Sequence, residues 1–352
     1  MAARKKRVVN LALQGGGAHG AFTWGALDRL MDEKDIEIDG VTATSAGAMN
    51  AAAIKIGWHE NGRAGVRRRL DQFWLSLSTT GDALPAPIEN WLMTVAPSPG
   101  FVSDILEMSP VYWGSEMLTR FLSPYEYNPF NIQPFRKLVE THLDEESLRA
   151  KDGPQLFINA TNVRTGKAKV FSGDDVTIDA LMASACLPTI YQAVEIEDKK
   201  TGQMEAYWDG GYTGNPSLFP LYETTKADDI LIIHINPLYR EQVPHTATEI
   251  SNRVNEISFN ASLLKDLRAV AFVNRLTSQG NIPKGAMRDL RIHSVMDDET
   301  MRQLGVATKM TPDLAFLLHL KEAGRRAMSG FLRQNGDKIG KESSVNLTEM
   351  YS

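Results

Sequence analysis

Apolar positions follow two rhythms that alternate along the first part of the chain. VVNLAL (8–13) is a continuous apolar run closed by glycine, as in a strand buried on both faces, and GAFTWGALDRLMDE (20–33) continues it at helical spacing. GVTAT (40–44) is a second β-branched run, and SAGAMNAAAIKI (45–56) follows it as a helix of small residues. Two strand–turn–helix units in succession predict a parallel sheet with helices on its faces. Further strands are expected at PQLFINATNV (154–163), at AVEIED and MEAYW as a hairpin around KKTG (193–208), at DILIIHIN (229–236) and at DLRIHSV (289–295). A mixed sheet follows from the hairpin.

The later part reads as helical. Ile250, Val254, Ile257, Ala261, Leu264, Leu267 and Ala271 recur at steps of three and four, predicting a long amphipathic helix. Thr311-Pro312-Asp313 has the form of an N-cap, a first-turn proline and a dipole-facing acid, with Asn335-Gly336 as the stop of the helix it opens. Between the two regions, half of the sixteen prolines fall from Pro85 to Pro134, interleaved with aromatics that include Trp91, Trp113 and Phe135. Such density forbids long regular elements while the rings demand burial or a ligand, which leaves a packed irregular excursion and a lid or apolar substrate wall as equal readings.

Composition narrows the classes. With 352 residues, 43% hydrophobic and 23% charged, the chain can bury one large α/β core or two smaller ones, and a net charge of −5 provides no basic field for nucleic acid. The single cysteine, Cys186, excludes an intramolecular disulfide and opposes a thiolate metal site. No H-E-x-x-H spacing occurs, so neither metal nor other cofactor is expected. The short apolar run after the basic N-terminus runs into glycines, which fits neither a secretory signal nor a membrane span, and a cytoplasmic location is expected.

The chemistry centres on LALQGGGAHGAF (11–22), where Gly15, Gly17 and Gly20 fit G-x-G-x-x-G. A dinucleotide would need an acid at the end of the second strand to take the ribose hydroxyls. That strand ends instead in Ala43-Thr44-Ser45-Ala46-Gly47, and Asp39 lies toward its start. A serine flanked by small residues between strand and helix is the layout of a nucleophile elbow, G-x-S-x-G, with Ala43 in place of the first glycine. Taken alone Ser45 reads as a plain N-cap. Beside the glycine loop it reads as a nucleophile whose acyl oxygen the amides of Gly15 to Gly17 would receive. For a base, His234 and His293 fall in strand interiors and read as structural, whereas Asp209 in AYWDGGYTGNPS ends a strand, with Tyr207 and Trp208 as its expected apolar shelter.

QGGGAHGA, ATSAGA and WDGG, in this order and with ASACLPTIYQAV (183–194) between the last two, resemble the patatin-like phospholipase family over about residues 7 to 240. The resemblance implies a three-layer α/β/α fold with a mainly parallel, mixed sheet, lipid acyl hydrolysis, and a Ser-Asp dyad without histidine. By position Ser45 matches the nucleophile, Asp209 the general base and Gly15, Gly16 and Gly17 the oxyanion hole, with Gly20, Ala43, Ala46, Gly47, Gly210 and Gly211 in support. His19 stands where the family usually has arginine or lysine, removing a permanent cation from the site. Residues 1–240 are then a catalytic domain with an irregular excursion at about 81–135, and 241–352 a mainly helical extension packed on it. A lipid or other acyl-ester substrate and transient contact with a membrane surface are implied, with no nucleic acid. An acyltransferase on the same scaffold and a non-catalytic nucleotide-binding module are the alternatives.

Overall fold

Side-chain alternation sorts the strands between two apolar layers. In β1 (Arg7–Leu13), Val9, Leu11 and Leu13 enter one cluster and Ala12 another; in β7 (Asp229–Ile233), Leu231 and Ile233 join the first while Ile230 and Ile232 join the second. Strands buried on both faces lie between two helical layers. The computed structural model describes residues 6–79, 114, 121–283 and 285–351. The other strands are β2 (Ile36–Thr44), β3 (Gln155–Asn162), β4 (Ala168–Ser172), β5 (Val194–Asp198), β6 (Gln203–Asp209) and β8 (Arg291–Val295). Described helices of six residues or more are α1 (Gly20–Leu30), α2 (Ala46–Ser78), α3 (Pro134–His142), α4 (Ile178–Ser184), α5 (Phe219–Thr224), α6 (Ala247–Ser278) and α7 (Leu314–Asn335).

The eight strands run in the order β5-β6-β3-β2-β1-β7-β8, with β4 on β3 off this path. From β3 to β8 the neighbours are parallel; β4, β5 and β6 add antiparallel pairs. The mixed, mainly parallel three-layer fold matches the expectation. Helices α1, α2, α4 and α7 cover one face, and α5 and α6 the other. Strand β4 is the strand the apolar pattern does not reveal: only Phe171 of AKVFS is buried, because an edge strand needs no apolar run.

One pairing detail positions the site. Strand β4 occupies one flank of β3 along Phe157–Thr161, so β2 and β6 must share the other. Thr44 pairs with Asn159, and Asp209 pairs with the next residue, Ala160. Two strands arriving from opposite directions therefore end beside each other, and the residues at their tips meet.

Helix α2 is two legs. Asn61 and Gly62 leave helical geometry (Gly62 φ 53°), and the second leg folds back so that Gly65 and Gly57 touch, with no room for a methyl group at either. This return carries Phe73 and Trp74 over the start of the helix, where the Trp74 indole N–H donates to Asn50 Oδ1 at 2.9 Å. The C-terminal helix α7 clamps α1 by a similar device: a Cβ on Gly25 would enter the Lys321 carbonyl, and one on Gly324 the Phe22 carbonyl. The ion pair Arg325–Asp28 closes the crossing, and Lys321–Asp71 (2.7 Å) ties α7 to the second leg of α2. The N-cap of α7 is Asp313, whose carboxylate accepts from Phe316 N at 2.8 Å, rather than Thr311. Thr311 is still tied to the preceding turn, its hydroxyl donating to the Ala307 carbonyl at 3.1 Å.

The two glycines of α7 should respond oppositely to a methyl group. Gly324→Ala is expected to lose about 1–3 kcal/mol through overpacking at the crossing. Gly330→Ala, which meets nothing within 4 Å, should gain about 0.5–1 kcal/mol from helix propensity. Equilibrium urea unfolding of the two variants checks both, and equal effects would contradict the clamp.

Candidate active site

Ser45 comes directly after the last residue of β2 with φ 54° and ψ −123°, a region that costs a non-glycine residue on the order of 1–3 kcal/mol. It occupies the N-cap position of α2 without making a side-chain cap hydrogen bond, so its hydroxyl is not spent on the helix. The Ser45 N–H is held by Ser184 Oγ at 2.9 Å, from the ASACLPTIYQAV segment. Small neighbours are required by close approach: Gly47 lies against the Leu13 carbonyl, and Gly20 against Ala46. Ala43 takes the first elbow position, with its methyl fully buried in the core.

The glycine loop lies on this turn. A Cβ on Gly15 would stand 2.7 Å from Ser45 Cβ. The Gly15 N–H donates to Asn215 Oδ1 at 2.6 Å and is therefore committed. This alters the expected three-amide oxyanion hole, because Gly16 and Gly17, which line the cavity, are the loop members whose N–H groups donate to no described protein acceptor. Gly17 needs to be glycine for two reasons: its φ is +58°, and the Lys309 carbonyl packs where a Cβ would be. Behind the loop, Gln14 Nε2 donates to Asn260 Oδ1 at 3.0 Å, Gln14 Oε1 accepts from Ile235 N at 2.9 Å, and Asn236 Nδ2 donates to the Gly15 carbonyl at 2.9 Å.

Asp209 is fully buried at the tip of β6. Its Oδ1 accepts from Gly211 N at 2.7 Å, while Oδ2 is buried without a hydrogen-bond partner. Burial pushes the carboxyl up to about 7, although the Gly211 N–H, the Ser45 hydroxyl and the Lys309 charge all favour the ionised form. Gly210 and Gly211 close the turn, the first against the Asn159 carbonyl and the second against the Phe259 ring. The expected shelter differs: Tyr207 packs edge-on against Phe171 at 5.3 Å, and neither it nor Trp208 lines the site. Leu187, Tyr191 and Phe259 do so instead, because alternation along β6 turns Trp208 away and places Tyr207 deeper in the core.

Ser45, Asp209, Gly16 and Gly17 open on a cavity of about 350 Å³ whose walls are largely apolar, with Met49, Phe73, Trp74 and Leu77 from the two legs of α2 and Phe135 from α3. Phe135 is the described member of the proline and aromatic excursion that reaches it together with Pro134; residues 80–113 and 115–120, which include Trp91 and Trp113, lie outside the described residues. No histidine lines the cavity among the described residues. His234 lies one residue past β7 rather than inside a strand, buried, with Nε2 3.2 Å from Ser294 Oγ; His293 is inside β8 and pairs with Asp229 at 2.9 Å. His19 is buried and neutral, well below its usual pKa through burial and the nearby Lys309 charge, and its Nε2 stands 2.8 Å from Thr308 Oγ1.

Lys309 and Asn215 belong to no motif that sequence reasoning singled out. Lys309 comes from the short helical turn Val306–Lys309 and is the cavity's one positive group among the described residues, its ammonium donating to Asn255 Oδ1 (2.7 Å) and Asn236 Oδ1 (3.0 Å). Burial pulls it down to about 8. Asn215 sits in the AYWDGGYTGNPS stretch, but its hold on Gly15 spans 200 positions. Among the described residues, no group of three or more His, Cys, Asp or Glu could hold a metal, and no helix is long and apolar enough to cross a membrane.

No curated protein matches the chain. Among solved structures, VipD from Legionella pneumophila is similar at 14% identity and a TM-score of 0.33, covering 92% of this chain and 68% of that one. The ExoU–SpcU complex from Pseudomonas aeruginosa contains a chain similar at 15% identity and a TM-score of 0.36, covering 96% of this chain and 52% of that one. The model of the family described as Patatin-like phospholipase matches residues 11–222, a span that runs from the glycine loop through Ser45 and past Asp209. That match covers more than half of the sequence, and the chain belongs to the patatin-like phospholipase family.

Proposed function

We propose that the chain is a serine hydrolase of lipid acyl esters that works through a Ser45–Asp209 dyad. The observation that carries this reading is the juxtaposition of Ser45, strained and uncapped, with the buried Asp209 carboxyl at the head of one apolar cavity. Ser45 Oγ attacks the acyl carbon as its proton passes to Asp209, and the N–H groups of Gly16 and Gly17 receive the oxyanion. Collapse expels the alcohol, which takes the proton from Asp209; water then attacks the acyl carbon as one of its protons passes to Asp209, and collapse of the second intermediate breaks the bond to Ser45, whose Oγ takes that proton back as the acid leaves. A free carboxylate near pKa 4 is a weak base for this step, and burial supplies the correction by raising Asp209 toward the operating pH. The apolar walls take the acyl chain. Nucleotide binding finds less support, since the Gly15 amide is committed and the Lys309 carbonyl fills the space over Gly17.

A fluorophosphonate probe should attach to Ser45, located by mass mapping, and Ser45→Ala should lose both label and ester hydrolysis. Labelling elsewhere would sink the reading.

Asp209 links activity to stability in opposite directions. Its folded pKa, about 7, lies above the unfolded value, roughly 4, so its favourable contribution to folding is full below pH 4 and is lost as pH rises through 7. Asp209→Asn should therefore raise Tm at pH 8, with the gain fading toward pH 4, while kcat falls about a thousandfold. For the unaltered protein, kcat/KM should rise with pH through an apparent pKa of about 7. A pH-independent rate from 5 to 8 would remove Asp209 as the base.

Filling the cavity beside the nucleophile should shorten the preferred chain. Met49→Trp is expected to shift the kcat/KM optimum on a p-nitrophenyl ester series toward shorter acyl groups, and an unchanged optimum would place the acyl chain elsewhere.

A further inference from the structure

We infer that Lys309 is a positioning residue of the hydrolytic site that acts through Asn236: its ammonium aligns and polarises the Gly15–Gly16 peptide, whose N–H meets the developing oxyanion. This inference rests on the hydrolase reading above and adds to it two residues from beyond the family match at 11–222.

A short hydrogen-bonded series joins the cation to the loop. The Lys309 ammonium donates to Asn236 Oδ1 at 3.0 Å, and Asn236 Nδ2 donates to the Gly15 carbonyl at 2.9 Å. Its direction is fixed by its two ends. An ammonium only donates and a carbonyl only accepts, so the amide between them can bridge the two in one orientation alone. Gly15 C=O and Gly16 N–H belong to one trans peptide unit. The N–H of such a unit points opposite to its C=O, so it is directed away from Asn236, and Gly16 lines the cavity. Each amide passes polarisation on through its own C–N resonance, and successive bonds strengthen one another by about 10–30%. The Gly16 N–H becomes a better donor, most of all when negative charge forms in front of it.

The middle of the series is rigid and its charged end is not cancelled. Asn236 is buried, its backbone N–H donates to Gln14 Oε1 at 3.1 Å, and its carbonyl accepts from Asn260 Nδ2 at 3.4 Å. The other partners of the ammonium are neutral, Asn255 Oδ1 at 2.7 Å and the face of Phe259, whose centroid is 5.3 Å away. The nearby carboxylate of Glu256 is engaged elsewhere, both oxygens taken by Arg240 and Arg253 at 2.6 to 3.1 Å. Burial pulls Lys309 down to about 8 and Arg240 adds to the fall, while Glu256 and Asp209 hold it up. His19 beside it is neutral. Lys309 therefore carries its charge at neutral pH, where Asp209 acts. The backbone of the same residue packs on Gly17, so Lys309 borders both loop amides, one through its side chain and one through its carbonyl.

A double-mutant cycle on Lys309 and Asn236 tests this, with hydrolysis of a p-nitrophenyl ester measured at the pH optimum of each variant so that a shift of Asp209 is not counted. Lys309→Met should lower kcat about tenfold or more, a part of the roughly 10²–10³ that loss of a whole oxyanion donor costs, and leave KM within about twofold. Asn236→Ala should cost at least as much, and adding Lys309→Met to it should change kcat by less than about twofold, because the link is already broken. Tm is measured on each variant to verify folding. Lys309→Gln is the second neutral replacement, and Asn236→Asp the second break: its carboxylate holds the ammonium but has no N–H for the Gly15 carbonyl. Effects that multiply in the double variant would overturn the inference, since the cation would then act across space. So would Lys309→Met with unchanged kcat, or with a raised KM as its main effect, which would make Lys309 a substrate contact. Failure of the hydrolase reading shows separately, as the absence of Ser45-dependent ester cleavage by the unaltered protein.

Discussion

The site depends on a sheet-pairing constraint: β2 and β6 share one flank of β3 and stop at consecutive residues of it, Asn159 and Ala160. Because the two strands converge from opposite directions, the residue just past the tip of β2 is set against the last residue of β6, and these two are Ser45 and Asp209. Neither can shift without breaking ladder hydrogen bonds to β3. A site built on such elements keeps its geometry more narrowly than one carried on loops. The same pairing buries Asp209, since β3 and the turn at Gly210 enclose its backbone while Thr161 Oγ1 donates to its carbonyl at 2.8 Å. Burial makes the carboxyl a stronger base and at the same time a liability to folding above its pKa.

Preorganisation of the glycine loop comes from buried amides rather than from the loop itself. Gln14, Asn215, Asn236 and Asn260 satisfy one another and the loop carbonyl and amide of Gly15. A satisfied polar network in low dielectric is stiff, so the remaining N–H groups of Gly16 and Gly17 are held in fixed positions at the cavity. The C-terminal part takes a direct share in this. Its clamp of α7 on α1 fixes the helix that begins at Gly20, α6 brings Phe259 and Asn255 to the cavity, and the turn at Lys309 packs on Gly17. Residues 241–352 thus complete the site as well as cover the sheet.

Much of the fold and the heart of the site were legible in the sequence because they are local. Strand, glycine and helix in VVNLALQGGGAHGAF, the small-residue turn around Ser45, and Asp209 before Gly210-Gly211 are each determined by neighbours a few positions apart, through periodicity, backbone approach and turn chemistry. The clash of Gly47 with the Leu13 carbonyl shows why small residues recur there. Tertiary structure alone decided the features that join distant positions. Asn215 takes the Gly15 amide from 200 residues away, Lys309 brings a positive charge to the cavity from the C-terminal part of the sequence, and Phe259 lines that cavity where Tyr207 and Trp208 do not. Edge strand β4 carries too little apolar surface to announce itself, and the cap of α7 moved from Thr311 to Asp313 because Thr311 is held by the preceding turn. A hydrogen bond or charge contact between residues hundreds of positions apart leaves no periodic trace in either segment, since its geometry exists only once the sheet has brought the two together.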